Sequence, residues 1–140
     1  MKFHPRFHYE PPRLADPGSE NDIQFAFCQA MRKLAPDVRI VAVPNGQKRT
    51  RWQAAQAKRE GLSKGFPDVM ALWGHGAGRA PVSGMAMIEF KSKDGTLSDD
   101  QKEQLDWLHD HGFAVAVCRS VAGAVAFLRG CQAPILRELA

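Results

Sequence analysis

The sequence predicts an α/β sandwich in which helices pack on a small mixed sheet. Three observations lead to that fold class. Segments with a helical period alternate with short apolar or β-branched runs, in the order helix, strand, basic helix, strand, strand, helix, strand, helix. Residues 113–118 (Phe-Ala-Val-Ala-Val-Cys) are apolar throughout, the pattern of a strand covered on both faces. Residues 65–73 and 84–91 flank a glycine-rich connection and read as the two arms of a hairpin. At 140 residues, 44% hydrophobic and 24% charged, the chain has the size and composition of one globular domain.

Residues 1–18 contain Pro5, Pro11, Pro12 and Pro17, a density that forbids a continuous helix. They read as an extended arm, free to lie on a partner subunit or on nucleic acid. Ser19 caps a first helix with Glu20 and Asp22 in its first turn. Ile23, Phe27, Ala30, Met31 and Leu34 form its apolar stripe, and Pro36 stops it. Residues 38–43 are a short β-branched strand closed by the turn Pro44-Asn45-Gly46. Residues 52–60 are helix formers with few large apolar side chains, hence a solvated helix ending at Gly61. Pro67 opens the next strand, with Asp68 as its first or second residue. Ser98 caps a further helix with Asp99 and Asp100 in its first turn, and His111-Gly112 ends it. Residues 121–128 form a last helix closed by Gly130. The domain proper is therefore residues 19–130, followed by a tail at 131–140.

Composition excludes some function classes and leaves others open. Lys and Arg number 19 against 15 Asp and Glu, a net charge of +4 that suits an anionic partner without requiring one. Cys28, Cys118 and Cys131 show no zinc-type spacing, which points to buried thiols in a reducing compartment. No apolar run is long enough to span a membrane, and the N-terminus lacks the apolar core of a signal peptide. A cytoplasmic location is the expectation.

The chemistry concentrates on residues 84–91, Gly-Met-Ala-Met-Ile-Glu-Phe-Lys. Strand alternation puts Met85, Met87, Glu89 and Lys91 on one face and Ala86, Ile88 and Phe90 on the other. An acid and a base roughly 6.6 Å apart at the end of an apolar strand cost stability unless they are paired, hydrated or bound to metal. A plain ion pair meets that requirement. A metal site meets it too, because the hairpin can bring Asp68 beside Glu89. Two carboxylates with open coordination positions suit a hard cation such as Mg²⁺, with the backbone carbonyl of Phe90 as a further oxygen and Lys91 beside a water or phosphate. Glu20 falls on the buried face at its helix entrance, either as a partner of the helix dipole or as part of this site. Gln101 completes a Ser-x-x-Gln capping box, yet shares a stripe with Leu105 and Leu108 from which its amide can point over the sheet. Finally, residues 47–65 carry Lys48, Arg49, Arg51, Lys58, Arg59 and Lys64 against the single acid Glu60. Such a run is either a solvated face or a surface for phosphates.

Taken together and in order, these pieces resemble the signature of the PD-(D/E)xK nucleases, and more narrowly a stand-alone VRR-NUC domain, the virus-type replication-repair nuclease module. The matching parts are Glu20, Pro44-Asn45-Gly46 with the basic stretch, Lys64-Gly65-Phe66-Pro67-Asp68, Ile88-Glu89-Phe90-Lys91, and Leu97-Ser98-Asp99-Asp100-Gln101 ahead of Leu105 and Leu108. The resemblance spans roughly residues 19–128 and implies a restriction-endonuclease-like αβββαβ core. It also implies a phosphodiesterase acting on DNA with Mg²⁺ or Mn²⁺. Residue by residue, Asp68 and Glu89 match metal ligands, Lys91 the catalytic lysine, and Glu20 and Gln101 the helix positions that help bind metal or water. Small stand-alone members, commonly from phages and bacteria, resemble Holliday-junction resolvases that work as dimers. The expected activity is thus a structure-selective endonuclease on branched or four-way DNA, acting as a homodimer. The alternatives are a nicking, flap or restriction-like nuclease, and, in another class, an inactive nucleic-acid-binding module.

Overall fold

In the computed structural model, which describes residues 5–44, 50–75 and 82–136, strands and helices alternate much as the apolar pattern dictates. The chain runs β1 (His8–Tyr9), α1 (Glu20–Leu34), β2 (Val38–Ala42), α2 (Arg51–Arg59), β3 (Val69–His75), β4 (Val82–Phe90), α3 (Asp99–Asp110), β5 (Ala114–Cys118) and α4 (Val121–Gly130). Each helix starts where a hydroxyl side chain satisfies a first-turn N–H. Ser19, Thr50 and Ser98 do so in full capping boxes with Asp22, Gln53 and Gln101, and Ser120 accepts from the N–H of Gly123.

The sheet order is β1-β5-β4-β3-β2. β2, β3 and β4 form an antiparallel meander, whereas β4, β5 and β1 are mutually parallel. The sheet is therefore mixed, as expected. α1 and α4 cover one face, where Ile23, Phe27, Met31, Ala124 and Leu128 meet Ala86, Ile88, Phe90, Ala116 and Cys118. The Phe27 and Phe90 rings pack edge-on, 5.4 Å between centres. α3 covers the other face with Leu105 and Leu108 against Met87, Val115 and Val117. β5 is thus buried on both sides, which accounts for its unbroken apolar run. α2 is different: none of its residues is buried.

Three expectations need correction. Asp68 is not inside a strand but immediately precedes β3. β4 begins at Val82, two residues before the expected start. The N-terminal segment is extended, but it lies against the chain's own sheet. β1 pairs in parallel with β5, Phe7 is buried beside Met87 and Leu105, and the Glu10 N–H donates to the Val117 carbonyl at 2.9 Å. Glu10 then seats its carboxylate on the first turn of α4. There it accepts from the Arg119 N–H at 3.2 Å and from the Ser120 hydroxyl at 2.9 Å.

Room for that carboxylate exists because residue 123 has no Cβ; one placed there would collide with Glu10 Oε1. Gly123→Ala is therefore expected to evict Glu10 and to cost about 2 kcal/mol, the worth of a buried, charge-assisted hydrogen bond. A urea midpoint unchanged from the parent would count against this seat. The three cysteines are all unpaired, and burial pushes the Cys118 thiol up. Among the described residues, no helix is long and apolar enough to cross a membrane.

Candidate active site

The β3–β4 hairpin fixes the centre of the site. Its register pairs Val69 with Ile88, so the next step outward sets Asp68 opposite Glu89. Asp68 is held at both ends. Its carbonyl accepts from the Val43 N–H at 2.8 Å, and its Oδ2 accepts from the Phe90 N–H at 2.7 Å. Pro67, fully buried just before it, anchors the approach. Because the N–H and C=O of one strand residue face the same edge, the Phe90 carbonyl also points to the Asp68 side.

Glu89 is 2% exposed and Lys91 7% exposed at the end of β4. A carboxylate so deeply placed resists ionisation. The Glu89 carboxyl is pushed up from 4.5 to about 9, first by burial, then by the Asp68 charge and a hydrogen bond shared with Asp68; Lys91 opposes the shift. The Lys91 ammonium lies 3.9 Å from Glu89 Oε2 and 3.7 Å from Glu20 Oε1. Glu20 is half-exposed rather than buried, the first residue of α1 and at the mouth of the site.

Gln101 bonds in two directions at once. Its Oε1 accepts from the Ser98 N–H at 2.9 Å, completing the cap, while its Nε2 donates to Glu89 Oε2 at 3.3 Å. An amide has one oxygen and one nitrogen, so the two roles do not compete. Glu20, Asp68, Glu89, Ser98 and Gln101 line a cavity of about 240 Å³ with Lys64 and Phe66 on its rim. The ammonium of Lys64 pairs with Asp100 at 3.2 Å. A larger hollow of about 360 Å³ lies beside Cys28, Arg32 and Ile40, and it gathers no carboxylate.

Of the basic residues, Arg51, Lys58 and Arg59 are exposed on α2. Lys48 and Arg49, with Asn45 and Gly46, lie outside the described residues. One residue without a sequence signal is Arg119, almost wholly buried behind Lys91. Nothing in the sequence sets a lone arginine after an apolar strand apart from a surface arginine.

Among the described residues, no cluster of three or more His, Cys, Asp or Glu side chains forms a metal cage. The donor set is instead two adjacent carboxyl groups, Asp68 and Glu89, with a backbone carbonyl aimed alongside. An all-oxygen set of that size fits Mg²⁺ or Mn²⁺, ions that keep several waters.

The chain also matches known proteins. The family profile described as "VRR-NUC domain" matches residues 13–122. A solved structure named "VRR_NUC domain protein" superposes with a TM-score of 0.56 at 21% identity, covering 82% of this chain and 88% of that one. At that identity the likeness supports the fold alone. No curated protein matches the chain.

Proposed function

The chain belongs to the VRR-NUC domain family, nucleases of the PD-(D/E)xK type, and we propose that it is a metal-dependent, structure-selective DNA endonuclease that resolves branched or four-way DNA as a homodimer. One observation carries the reading: Asp68, Glu89 and Gln101 line one cavity at the end of the β3–β4 hairpin, with the Lys91 ammonium 3.9 Å from Glu89 Oε2. Asp68, Glu89 and the Phe90 carbonyl would hold Mg²⁺ or Mn²⁺, with Glu20 in contact through water. Such an ion supplies a Lewis acid that offsets charge developing on the phosphate and acidifies water.

The chain's own residues do the rest. Gln101 fixes the orientation of the Glu89 carboxylate. Asp68, tied to the Phe90 N–H, cannot swing out of the hairpin end. Lys91 brings a positive charge beside the carboxylates, where it orients the attacking water or steadies the phosphoryl oxygens. Buried as Lys91 and Glu89 are, a fixed charge beside them acts more strongly than it would in water. The exposed bases of α2 lead directly through residues 60–64 to the rim, so the DNA backbone would approach along that helix.

The decisive experiment incubates labelled linear, nicked, flapped and four-way DNAs with Mg²⁺, Mn²⁺ or EDTA, alongside a mass measurement of the oligomer. Paired cuts confined to four-way junctions by a dimer are expected. Equal rates on linear duplex would reject the junction reading, and binding without cleavage under either metal would leave a binding module.

Substituting Arg51, Lys58 and Arg59 together with Ala is expected to flatten the salt dependence of duplex binding by about 0.9 slope units for each phosphate that is no longer neutralised. An unchanged slope would show that α2 does not touch phosphate.

A further inference from the structure

Arg119 is 1% exposed, the largest of the fully buried side chains, and sits one residue beyond β5. A buried guanidinium is costly unless its donors are used. Here they are. Nη1 donates to two carbonyls of one connection, Ser92 at 2.7 Å and Gly95 at 2.9 Å. Nε donates to the Glu10 carbonyl at 3.0 Å, and Nη2 to the Tyr9 hydroxyl at 2.7 Å. The guanidinium carbon also lies 5.3 Å from the centre of the Tyr9 ring, an attractive arrangement for a desolvated cation.

The segment that Arg119 grips is the one that matters for the site. Residues 92–97 begin immediately after Lys91 and lead into Ser98, the cap that Gln101 completes. The Lys91 N–H is itself fixed to the carbonyl of Cys118, the neighbour of Arg119, at 3.0 Å. The same connection backs Glu20: a Cβ on Gly95 would stand 3.6 Å from Glu20 Oε1. One guanidinium therefore ties down the link between the ammonium and the amide that flank Glu89. Its planar fork spans two segments at once, which the point charge of a lysine cannot do.

We propose that Arg119 is a positioning residue for cleavage: its grip on residues 92–95 sets Lys91 and Gln101 against Glu89. This rests on the nuclease reading above. Arg119 touches neither substrate nor reacting atoms, so its effect falls on the rate of the bound complex.

The test compares wild type with Arg119→Lys, which keeps a buried cation, and Arg119→Gln, which keeps one donor group. Folding is checked by circular dichroism and melting. DNA affinity without metal is expected to be unchanged. The kcat per folded molecule is expected to fall about tenfold in the Lys variant and about 100-fold in the Gln variant, the cost of a misplacement near 1 Å. In the metal-free protein, hydrogen exchange at the Lys91 and Gln101 amides is expected to quicken while that at Ala71 does not.

A role confined to general support of the core would quicken exchange everywhere and lower affinity and rate together. Unchanged kcat, or unchanged exchange at Lys91 and Gln101, overturns the proposal. Should the Gln variant fail to fold, the Lys variant decides alone. Wild type that cuts no DNA would count against the nuclease reading, and exchange would still decide whether Arg119 clamps the site.

Discussion

Glu89→Gln is expected to abolish DNA cleavage while leaving the metal-free protein as stable as its parent, or more so. The loss of activity follows from the donor set. If Asp68 and Glu89 hold the cation as proposed, losing one of them removes half its charged ligands, and a drop of about 10³-fold, or ~4 kcal/mol in the barrier, is expected. The gain in stability follows from burial. Glu89 is a carboxyl whose folded-state pKa stands at about 9 against an ordinary 4.5. Between those values the unfolded chain releases a proton that the folded chain retains, so its contribution to stability is intact below pH 4.5 and is lost as pH rises toward 9.

Glutamine titrates in neither state. Its oxygen can still accept from Gln101, and its nitrogen can donate toward Asp68 in place of the protonated Glu89 carboxyl. The variant's advantage should therefore widen from pH 5 to pH 9 in thermal melts run in EDTA. Parallel melting curves across that range would refute the raised pKa of Glu89. Asp68→Asn, at the opposite member of the pair, is expected to lose cleavage to the same extent.

Gly65→Ala is expected to be among the most damaging single changes that avoid the reacting groups. Gly65 has φ +80°, and a Cβ there would lie 2.6 Å from the Asp100 carbonyl carbon, 2.7 Å from its oxygen and 2.8 Å from the Gln101 nitrogen. All three are backbone atoms in the first turn of α3, so no side chain can rotate out of the way. Either the loop or the helix must move. The loop carries Lys64 and leads into Asp68, while the helix carries Gln101, so the site opens either way. A stability loss of about 3 kcal/mol is expected from the left-handed backbone and the overlap combined. Cleavage per folded molecule should fall with it. A melting temperature equal to the parent's would mean that the close approach is not maintained in solution.

Much of this is legible in the sequence because local rules and tertiary packing agree there. Ser19, Ser98 and Gly112 mark helix ends that the structure reproduces, and the alternation in residues 84–91 assigns the two faces of β4 correctly. The hairpin makes neighbours of Asp68 and Glu89 although about twenty residues separate them. Other features leave no readable trace. β1 is two residues long, too short to show a period, and the prolines around it argue only for extended chain. Arg119 and Glu10 are ordinary polar residues until the fold buries them, and their partners are largely backbone carbonyls and amides, which no side-chain pattern encodes. Gln101 reads equally well as a cap or as a site residue. Only the folded geometry shows one amide both completing the cap and donating to Glu89.

The pairing of β1 with β5 also bears on how this protein can be trimmed. The family match begins at residue 13 and ends at 122, so a fragment cut to it would discard β1, Glu10 and nearly all of α4. The bare flank of β5 would then present apolar strand with open hydrogen-bonding groups, a template for edge-to-edge association. One face of the sheet would lose its second helix at the same time. The sheet and its covering helices thus extend past the matched segment at both ends, and self-association of a shortened chain would reflect an unsealed sheet rather than an assembly used in function.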